Sequence, residues 1–240
     1  MRKRDNPSSL NYFISYTDLL VGMLFLFIIL LMAFALSFRG AQRQLEDRLD
    51  DIERRVDIRS ELLDRIATRL RQGGVTQVQV DHEQGVLRFG EAVLFEPGKA
   101  ELGADARHAL DLLARELMRE LPCYGSGRHG RCPQTSEPIL EAVYIEGHTD
   151  YRNIRNRQFP TNWHLSSARA YETYRYLAEA APALRSVPNS SGTILLSASA
   201  YADQRPVKSR ERLDENRRID IRFLLAPPTR AQVDASRAGR

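Results

Sequence analysis

Asp18 is an acidic residue that stands directly before an uncharged apolar run, Leu19 to Phe38. As a helix rising about 1.5 Å per residue, this run spans roughly 30 Å, the thickness of the hydrocarbon core of a membrane. A carboxylate at the edge of that core is costly and commonly marks an ion path, so Asp18 is a candidate carrier of a proton or a sodium ion. The alternative is that Asp18 only caps the helix at the interface, where Tyr12, Phe13 and Tyr16 would form an aromatic belt.

The two cysteines, Cys123 and Cys132, lie close together in a glycine-rich segment. A nearby pair of cysteines is expected to be oxidised in an exported protein, which predicts a disulfide. His129 lies between them and raises the alternative of a metal site. One histidine and two cysteines in so short a segment lack zinc-finger spacing and a fourth ligand, so we expect a disulfide and no metal.

The composition argues against enzymatic and nucleic-acid functions. The net charge is +4 and the pI is near 9.2, but the basic residues are spread along the chain among 31 acidic ones. The sequence has no zinc spacing and no aromatic-rich basic motif, so we expect no nucleic acid partner. It also has no phosphate-binding loop and no nucleophile–base pair. We therefore expect a protein that is not an enzyme and that holds no cofactor beyond the ion it transports.

The flanks of the apolar run predict its orientation. Arg2, Lys3 and Arg4 precede it, so the positive-inside rule places residues 1–12 in the cytoplasm and exports the rest of the chain. A cleaved signal peptide is the alternative, since Ala33-Phe34-Ala35 resembles a cleavage site, but the apolar part of a signal peptide is only about 7–15 residues long. We expect a retained transmembrane helix over residues 13–39, in a single-pass protein of the bacterial inner membrane with a periplasmic C-terminal domain.

Residues 40–72 form a charged segment with a regular apolar stripe. At spacings of four and three, all but one of the positions on the stripe are apolar. They are Leu45, Leu49, Ile52, Val56, Leu63, Ile66 and Leu70, with Arg59 as the polar member. A narrow stripe with charged flanks is typical of a coiled coil, which predicts a periplasmic stalk in a parallel homodimer. The alternative is a lone amphipathic helix that lies on the following domain.

The pattern over residues 73–226 is that of one globular domain. Alternating residues predict a hairpin over 75–80 and 85–95, and further strands over 139–146, 193–199 and 218–225. Apolar residues at helical spacing predict helices over 102–121 and 166–180. This order of elements predicts an α+β fold in which helices pack on one mixed sheet. The tail, residues 227–240, is rich in alanine and arginine and is expected to be disordered.

Four motifs in this domain together resemble those of OmpA-like peptidoglycan-binding domains. They occur in the family's order, and they are FEPGKAEL from Phe95, IEGHTD from Ile145, Asn162 with LSSARA from Leu165, and NRRIDI from Asn216. The resemblance implies that Asp150 and Arg169 grip the diaminopimelate of the peptidoglycan stem peptide. It also places Thr149, Asn162 and Arg217 in or beside that site.

This assignment agrees with the chemistry of the ligand. Diaminopimelate presents an ammonium and a carboxylate, so its site needs one carboxylate and one guanidinium, and arginine can hold a carboxylate through two parallel hydrogen bonds. The alternative for Asp150 and Arg169 is a structural ion pair. The segment between Asp150 and Asn162, YRNIRNRQFPT, is longer and more basic than is usual in the family. That departure concerns the rim of the site and not its floor.

The start of the chain carries a second resemblance. Residues 13–20, FISYTDLL, are similar to the start of the membrane helix in MotB-type stator subunits, in which a lone aspartate carries the ion. The match implies a multi-pass MotA-like partner and an ion-conducting role for Asp18. The short chain and the opening NPSSLNYFISYTDLL are most similar to ZorB, the MotB-like subunit of the Zorya anti-phage systems, whose partner is ZorA. A flagellar stator subunit and a passive peptidoglycan tether without ion transport are the alternatives.

Overall fold

The computed structural model describes residues 7–126, 132, 136–154, 156–207 and 209–227, with side chains described from residue 16 onward. The chain divides into two compact units at Asp51, within the first helix, and the second unit comprises Ile52–Thr229. Helix α1 (Pro7–Gln72) contributes residues to both units. Residues 1–6 and the predicted tail from residue 228 onward lie outside the described residues.

The apolar run lies in the part of α1 that belongs to the first unit. Its large apolar side chains, from Leu19 to Phe38, are exposed along the whole run. Among the described residues, α1 is the one helix that is long and apolar enough to cross a membrane. The predicted transmembrane segment, residues 13–39, therefore lies within one continuous helix, which Gly40 does not interrupt.

Five strands of the second unit form a single mixed sheet. They are β1 (Val78–Asp81), β2 (Val86–Gly90), β3 (Leu140–His148), β4 (Leu196–Ala202) and β5 (Arg218–Leu225). The strand order is β1-β2-β5-β3-β4, with β3 and β4 parallel and every other neighbouring pair antiparallel. The predicted α+β class with one mixed sheet is confirmed.

The remaining helices of this unit are α2 (Glu91–Leu94), α3 (Ala104–Gly125), α4 (Asn162–Ala180) and α5 (Leu213–Asn216), with a 3₁₀ helix at Pro182–Ser186. The strand predicted over 85–95 ends at Gly90, because the backbone N–H of Glu91 bonds the Arg217 carbonyl at 2.8 Å and the chain turns into α2. The helix predicted over 166–180 begins earlier, at Asn162. These two differences bring Glu91, at the start of α2, and Asn162, at the start of α4, to one end of the sheet.

The core of the second unit includes the last turns of α1. Leu62, Leu63, Ile66, Ala67 and Leu70 are fully buried, in one cluster with apolar residues of α3 and of the sheet. Burial of a leucine or isoleucine side chain contributes about 1.5–3 kcal/mol. This part of α1 is therefore an integral element of the domain and not a linker to it.

The predicted coiled coil is consequently wrong for the last part of the 40–72 segment. Leu63, Ile66 and Leu70 are covered by their own domain, so a second chain cannot pack on them. Arg69 also fixes α1 to α3 through ion pairs of 2.8 Å with Glu116 and Glu120. The spacing alone could not separate the two arrangements, because a coiled-coil stripe and the apolar face of a packed helix overlap in period.

Arg59, predicted as the polar member of a dimer stripe, instead binds the turn between β1 and β2. Its Nη2 donates to the carbonyls of His82 at 3.0 Å and Glu83 at 3.4 Å. Gly85 in this turn has a φ of +68°, a backbone conformation that favours glycine. The compact domain thus begins inside α1, before the predicted boundary at 73.

Candidate functional site

Thr149 and Asp150 follow directly after β3, at the end of the sheet from which the chain leads to α4. The Thr149 N–H donates to the Ala202 carbonyl at 2.9 Å, which ties this end of β3 to the end of β4. Helix α4 crosses β3 at Gly147, where a Cβ would lie 2.1 Å from the Ser166 carbonyl oxygen. Only glycine permits this approach, so the glycine of the IEGHTD motif brings that motif against LSSARA.

Asn162 holds the segment after Asp150 in place. Its Nδ2 donates to the carbonyls of Asp150 and Arg152, both at 3.0 Å, and its Oδ1 accepts from the Ile154 N–H at 3.0 Å. The side chain is buried, and its amide is used by these backbone groups. The predicted site residue Asn162, at the start of α4, therefore holds Asp150 in position.

The basic segment between Asp150 and Asn162 has its own internal support. Asn156 Oδ1 accepts from the N–H groups of Gln158 and Phe159, at 2.9 and 2.6 Å. Phe159 is buried in a small cluster with Ala100 and Leu165. This segment carries Arg152 and Arg157 on its exposed side, so the rim of the site is positively charged.

The predicted site residues belong to a chain of alternating charges. Asp150 Oδ2 accepts from Arg217 Nη1 at 2.8 Å, and Asp150 Oδ1 accepts from the Arg152 N–H at 2.9 Å. Arg217 Nε donates to Glu91, whose other carboxylate oxygen accepts from Arg169 Nη2. Asp150 and Arg169 thus lie at the two ends of one network and are joined through Arg217 and Glu91.

Arg169 is the inner guanidinium of this network, with a side chain only 2% exposed. Its Nε donates to the Lys99 carbonyl at 2.8 Å and its Nη2 to the Glu96 carbonyl at 3.1 Å, within the FEPGKAEL motif. Burial lowers the pKa of Arg169, against the opposing charge of Glu91. Arg169 therefore fixes that motif to α4, and its direct contact with a ligand stays a prediction.

Arg217 is the outer guanidinium, with a side chain 29% exposed. Burial acts to lower its pKa, but the hydrogen bonds with Asp150 and Glu91 outweigh burial, so the pKa of Arg217 is raised. Its Nη2 donates to Asp214, which is 92% exposed and free to turn toward solvent. Arg217 is therefore the network's guanidinium that a ligand can reach without rearrangement of the core.

Glu91 was not identified from the sequence. It is buried, and it is the one carboxylate that binds both Arg169 and Arg217 among the described residues. The available signal was a single acidic residue in the otherwise mostly apolar stretch from Val86 to Phe95. Read as a continuous strand, that stretch would have alternated Glu91 to one face without indicating a partner for it.

An open cleft of about 470 Å³ adjoins Arg217. Its lining is mostly charged and consists of Arg152, Glu211, Arg212, Leu213, Asp214, Glu215 and Arg217. The Oγ1 of Thr149, the residue before Asp150, is buried and has no hydrogen-bond partner among the described residues. The contact between Asp150 and Arg217 offers a carboxylate and a guanidinium at one place, which suits a ligand that carries both an ammonium and a carboxylate.

A second polar cluster, formed by Glu146, His148 and Asp220, lies on β3 and β5 at the same end of the sheet. Their ligand atoms lie within 4.8 Å of one another, a spacing that could hold a metal ion. Asp220, however, accepts from Arg88 Nε at 3.0 Å and Arg218 Nε at 2.9 Å, and Glu146 accepts from Arg222 Nε at 2.9 Å. Three guanidiniums already exceed the charge of the two carboxylates, so a divalent cation would add unfavourable positive charge, and we assign no metal.

The other predicted site residues lie elsewhere. Asp18 and Tyr16 are exposed on α1 in the first unit, and the side chains of Tyr12 and Phe13 lie outside the described residues. Cys123, at the end of α3, and Cys132 are joined by a disulfide with a Cα–Cα distance of 5.4 Å, which confirms that prediction. His129 lies outside the described residues.

The chain resembles known proteins along much of its length, although no protein-family model matches it. It is 27% identical to YtxE, an uncharacterized protein of Bacillus subtilis (strain 168), over 249 residues that cover 91% of this chain and 90% of that protein. It is 35% identical to Motility protein B of the same organism over 85 residues, which cover 34% of this chain and 30% of that protein. A crystal structure of a putative MotB like protein from Desulfovibrio vulgaris has a TM-score of 0.53 at 21% identity and covers 71% of this chain and 96% of that one, which shows a shared fold.

Proposed function

We propose that the chain is a single-pass inner-membrane subunit that anchors a membrane complex to peptidoglycan through the site at Asp150 and Arg217. The observation that carries the proposal is the Asp150–Arg217–Glu91–Arg169 network beside an open cleft, built from four motifs that resemble those of OmpA-like domains. The shared fold with a MotB-like structure and the similarity to Motility protein B support it.

Each residue of the site has a part in binding the diaminopimelate of a stem peptide. The ammonium of the ligand pairs with Asp150, and its carboxylate pairs with Arg217 in place of the exposed Asp214. Thr149 supplies a hydroxyl to the ligand, and Asn162 holds Asp150 in position. Arg169, which the resemblance places in direct contact with the ligand, is buried, so we assign it a supporting role: it stabilises the neighbouring loop and adds positive charge behind Arg217. Charge-assisted hydrogen bonds of this kind are about twice as strong as neutral ones.

Co-sedimentation with purified peptidoglycan tests this proposal. Asp150→Asn removes the charge that pairs with the ligand ammonium, and the loss of one member of a desolvated charge pair costs about 2–5 kcal/mol, at least about thirtyfold in affinity. Asp105→Asn makes the same chemical change on the exposed surface of α3 and should bind like the original chain. Equal sedimentation of the two variants would refute the proposed site.

We also propose that Asp18 carries a proton or a sodium ion through the membrane complex. Packing against a multi-pass MotA-like partner would remove water from the carboxylate and disfavour its charged form. Binding of a cation would neutralise it, and a membrane potential supplies about 2.3 kcal/mol per charge for each 100 mV. Alternate loading and release would switch Asp18 between two states of contact with the partner, as a stator requires.

Asp18→Asn separates an ion-conducting subunit from a passive tether. The variant keeps the shape of the side chain but cannot cycle its charge, so we expect normal wall binding and complete loss of ion-dependent activity in cells that also express the neighbouring genes. Asp57→Asn, the same change on the exposed face of α1 outside the apolar run, is the matched control. Full activity of Asp18→Asn would identify the chain as a tether.

A homodimer remains part of the proposal, with its contact restricted to the exposed part of the stripe. Leu45, Leu49 and Ile52 are 59%, 57% and 45% exposed, which leaves them free to meet a second copy. A cysteine at Ile52 should crosslink to its twin more readily than one at Glu53, its exposed neighbour. Equal crosslinking at both positions would argue against the dimer.

The finer assignment, to the membrane motor of a Zorya anti-phage system, rests on the resemblance of the opening residues. A flagellar stator would share the anchor and the ion-carrying aspartate. The genes beside this one discriminate the two assignments. A MotA-like gene followed by helicase or nuclease genes supports defence, whereas flagellar genes support motility.

A further inference from the structure

Glu91 lies between the two arginines of the site, although the proposed binding role gives it no contact with the ligand. One of its carboxylate oxygens accepts from Arg169 Nη2 and the other from Arg217 Nε. Both oxygens are therefore engaged by the two guanidiniums of the site. The side chain is only 7% exposed, so this is an internal contact of the site and not a surface ion pair.

The carboxylates around Arg217 differ in how readily a ligand can replace them. Asp214 is 92% exposed, and its contact with Arg217 Nη2 can be exchanged for another carboxylate at little cost, because exposed ion pairs are weak. Glu91 cannot leave in the same way, because its departure would strand the buried Arg169 without its carboxylate partner. A ligand carboxylate that takes the place of Asp214 thus meets the fixed negative charge of Glu91.

The charges of the site give this contact a consequence for selectivity. Asp150 and Glu91 together neutralise Arg169 and Arg217, so the four groups sum to zero. A ligand carboxylate that replaces Asp214 at Arg217 Nη2 still lies beside the charge of Glu91 on the same guanidinium, and like charges in such proximity are unfavourable. A neutral amide at the same place of the ligand would not experience that repulsion.

We infer that Glu91 is a specificity-determining residue, which lowers the preference of the site for a carboxylate over a neutral amide at the ligand position that faces Arg217. This inference rests on the proposed peptidoglycan-binding function. Glu91 sets how strongly the two guanidiniums attract an incoming anion, while its hydrogen bonds keep Arg217 in place beside Asp150.

Two stem tripeptides that end in diaminopimelate test the inference, one with the free side-chain carboxylate and one with that carboxylate amidated. Their dissociation constants would be measured with the full-length chain in detergent. Glu91→Gln keeps hydrogen-bond acceptance and removes the charge, so the ratio of free-acid to amide affinity should rise at least about fivefold. A ratio cancels any uniform loss of affinity that a purely structural role would cause.

Glu179→Gln is the matched control, because Glu179 is exposed on α4 and does not line the cleft beside Arg217. Its ratio should change less than about twofold, since an exposed charge is screened by solvent. A ratio that is unchanged or lower in Glu91→Gln would overturn the inference while leaving wall binding intact. Failure of the original chain to bind either peptide would overturn the proposed function as well.

A measurement on the unsubstituted chain tests the same inference if Glu91→Gln does not fold. The Arg217 Nε–H group donates to Glu91, so its nitrogen NMR signal reports on that hydrogen bond. Addition of the free-acid peptide should shift the signal more than addition of the amidated peptide at equal saturation. Equal shifts with both peptides would contradict a repulsion between Glu91 and the ligand carboxylate.

Discussion

Two networks of carboxylates and guanidiniums lie at the same end of the sheet, on either side of the last residues of β3. The inner network joins Glu146, His148 and Asp220 to three arginines, and every side chain in it is largely buried. The outer network joins Asp150 and Glu91 to Arg169 and Arg217 and opens on a cleft. The two share residue types, and they are adjacent in sequence at Arg217 and Arg218.

The difference between the networks is access to a ligand. In the inner one, Asp220 is fully buried and its two oxygens accept from Arg88 and Arg218 at 2.9–3.4 Å. In the outer one, Arg217 is partly exposed and one of its partners, Asp214, is almost fully exposed. A closed network specifies the fold, whereas a network of the same residue types with one replaceable partner can bind.

The largest expected effect on stability is at the inner network. Asp220→Asn leaves Arg218 buried without its carboxylate and Arg88 with only Asp81, 3.6 Å away, which should lower the free energy of unfolding by about 3–5 kcal/mol. Trp163, the single tryptophan, lies on α4 and reports unfolding of the domain in urea by its fluorescence. The Asp105→Asn control should be unchanged within about 0.5 kcal/mol. A loss as small as that of the control would show that the inner network is dispensable.

A smaller loss of stability is expected at Gly147, where α4 packs closely against β3 beside both networks. Gly147→Ala places a Cβ 2.1 Å from the Ser166 carbonyl oxygen and must move α4 away from β3. Such overpacking typically costs about 1–3 kcal/mol, and here it should also weaken wall binding, because α4 carries Asn162 and Arg169. Gly103→Ala, where a Cβ meets no atom within 4 Å, is the control. Destabilisation without any loss of binding would show that the outer network does not depend on this helix position.

The smallest expected effect is a pH dependence that originates in the inner network. Burial lowers the pKa of His148 from its ordinary value of 6.5, with Glu146 and Asp220 each 3.7 Å from its Nε2 and Arg218 opposing its protonation. Below about pH 6.5 the unfolded chain takes up this proton before the folded chain does, so stability falls as the pH drops. The loss between pH 7.5 and 5.5 should be about 1 kcal/mol.

His148→Gln should reduce that slope over the same pH range, measured by urea unfolding at each pH. The pKa of Glu146 is also lowered, because its interactions with Arg222 and with His148, 3.7 Å away, outweigh burial, so its own contribution is lost only at a lower pH, below 4.5. An identical slope in the variant would show that the pH dependence arises at another group.

Much of the domain could be predicted from the sequence, because its strands and long helices have regular apolar spacing. The last strand, 218–225, was predicted with the bounds that the structure has. The disulfide followed from two nearby cysteines and the expected compartment. The placement of Leu63, Ile66 and Leu70 could not be predicted, because their spacing fits both a neighbouring chain and the same domain.

The site was predicted only in part, because some of its contacts come from distant parts of the sequence. A resemblance in motifs identified Asp150, Arg169 and Arg217, but no spacing indicates which arginine is buried. That depends on the Lys99 and Glu96 carbonyls, which the fold brings to Arg169 from a distant part of the sequence. Glu91 was missed because its two partners also come from other elements, and nothing in the sequence near it indicates them.

The adjacent arginines Arg217 and Arg218 provide the most direct test of the central claim, that the outer network binds peptidoglycan and the inner one only holds the fold. Binding of purified peptidoglycan would be measured for Arg217→Gln and Arg218→Gln in full-length chains whose folding is verified by Trp163 fluorescence. We expect Arg217→Gln to lose at least about thirtyfold in affinity with a modest change in stability. We expect Arg218→Gln to be strongly destabilised yet to bind normally per folded molecule. Normal binding by Arg217→Gln, or equal loss of binding in both variants, would contradict the account.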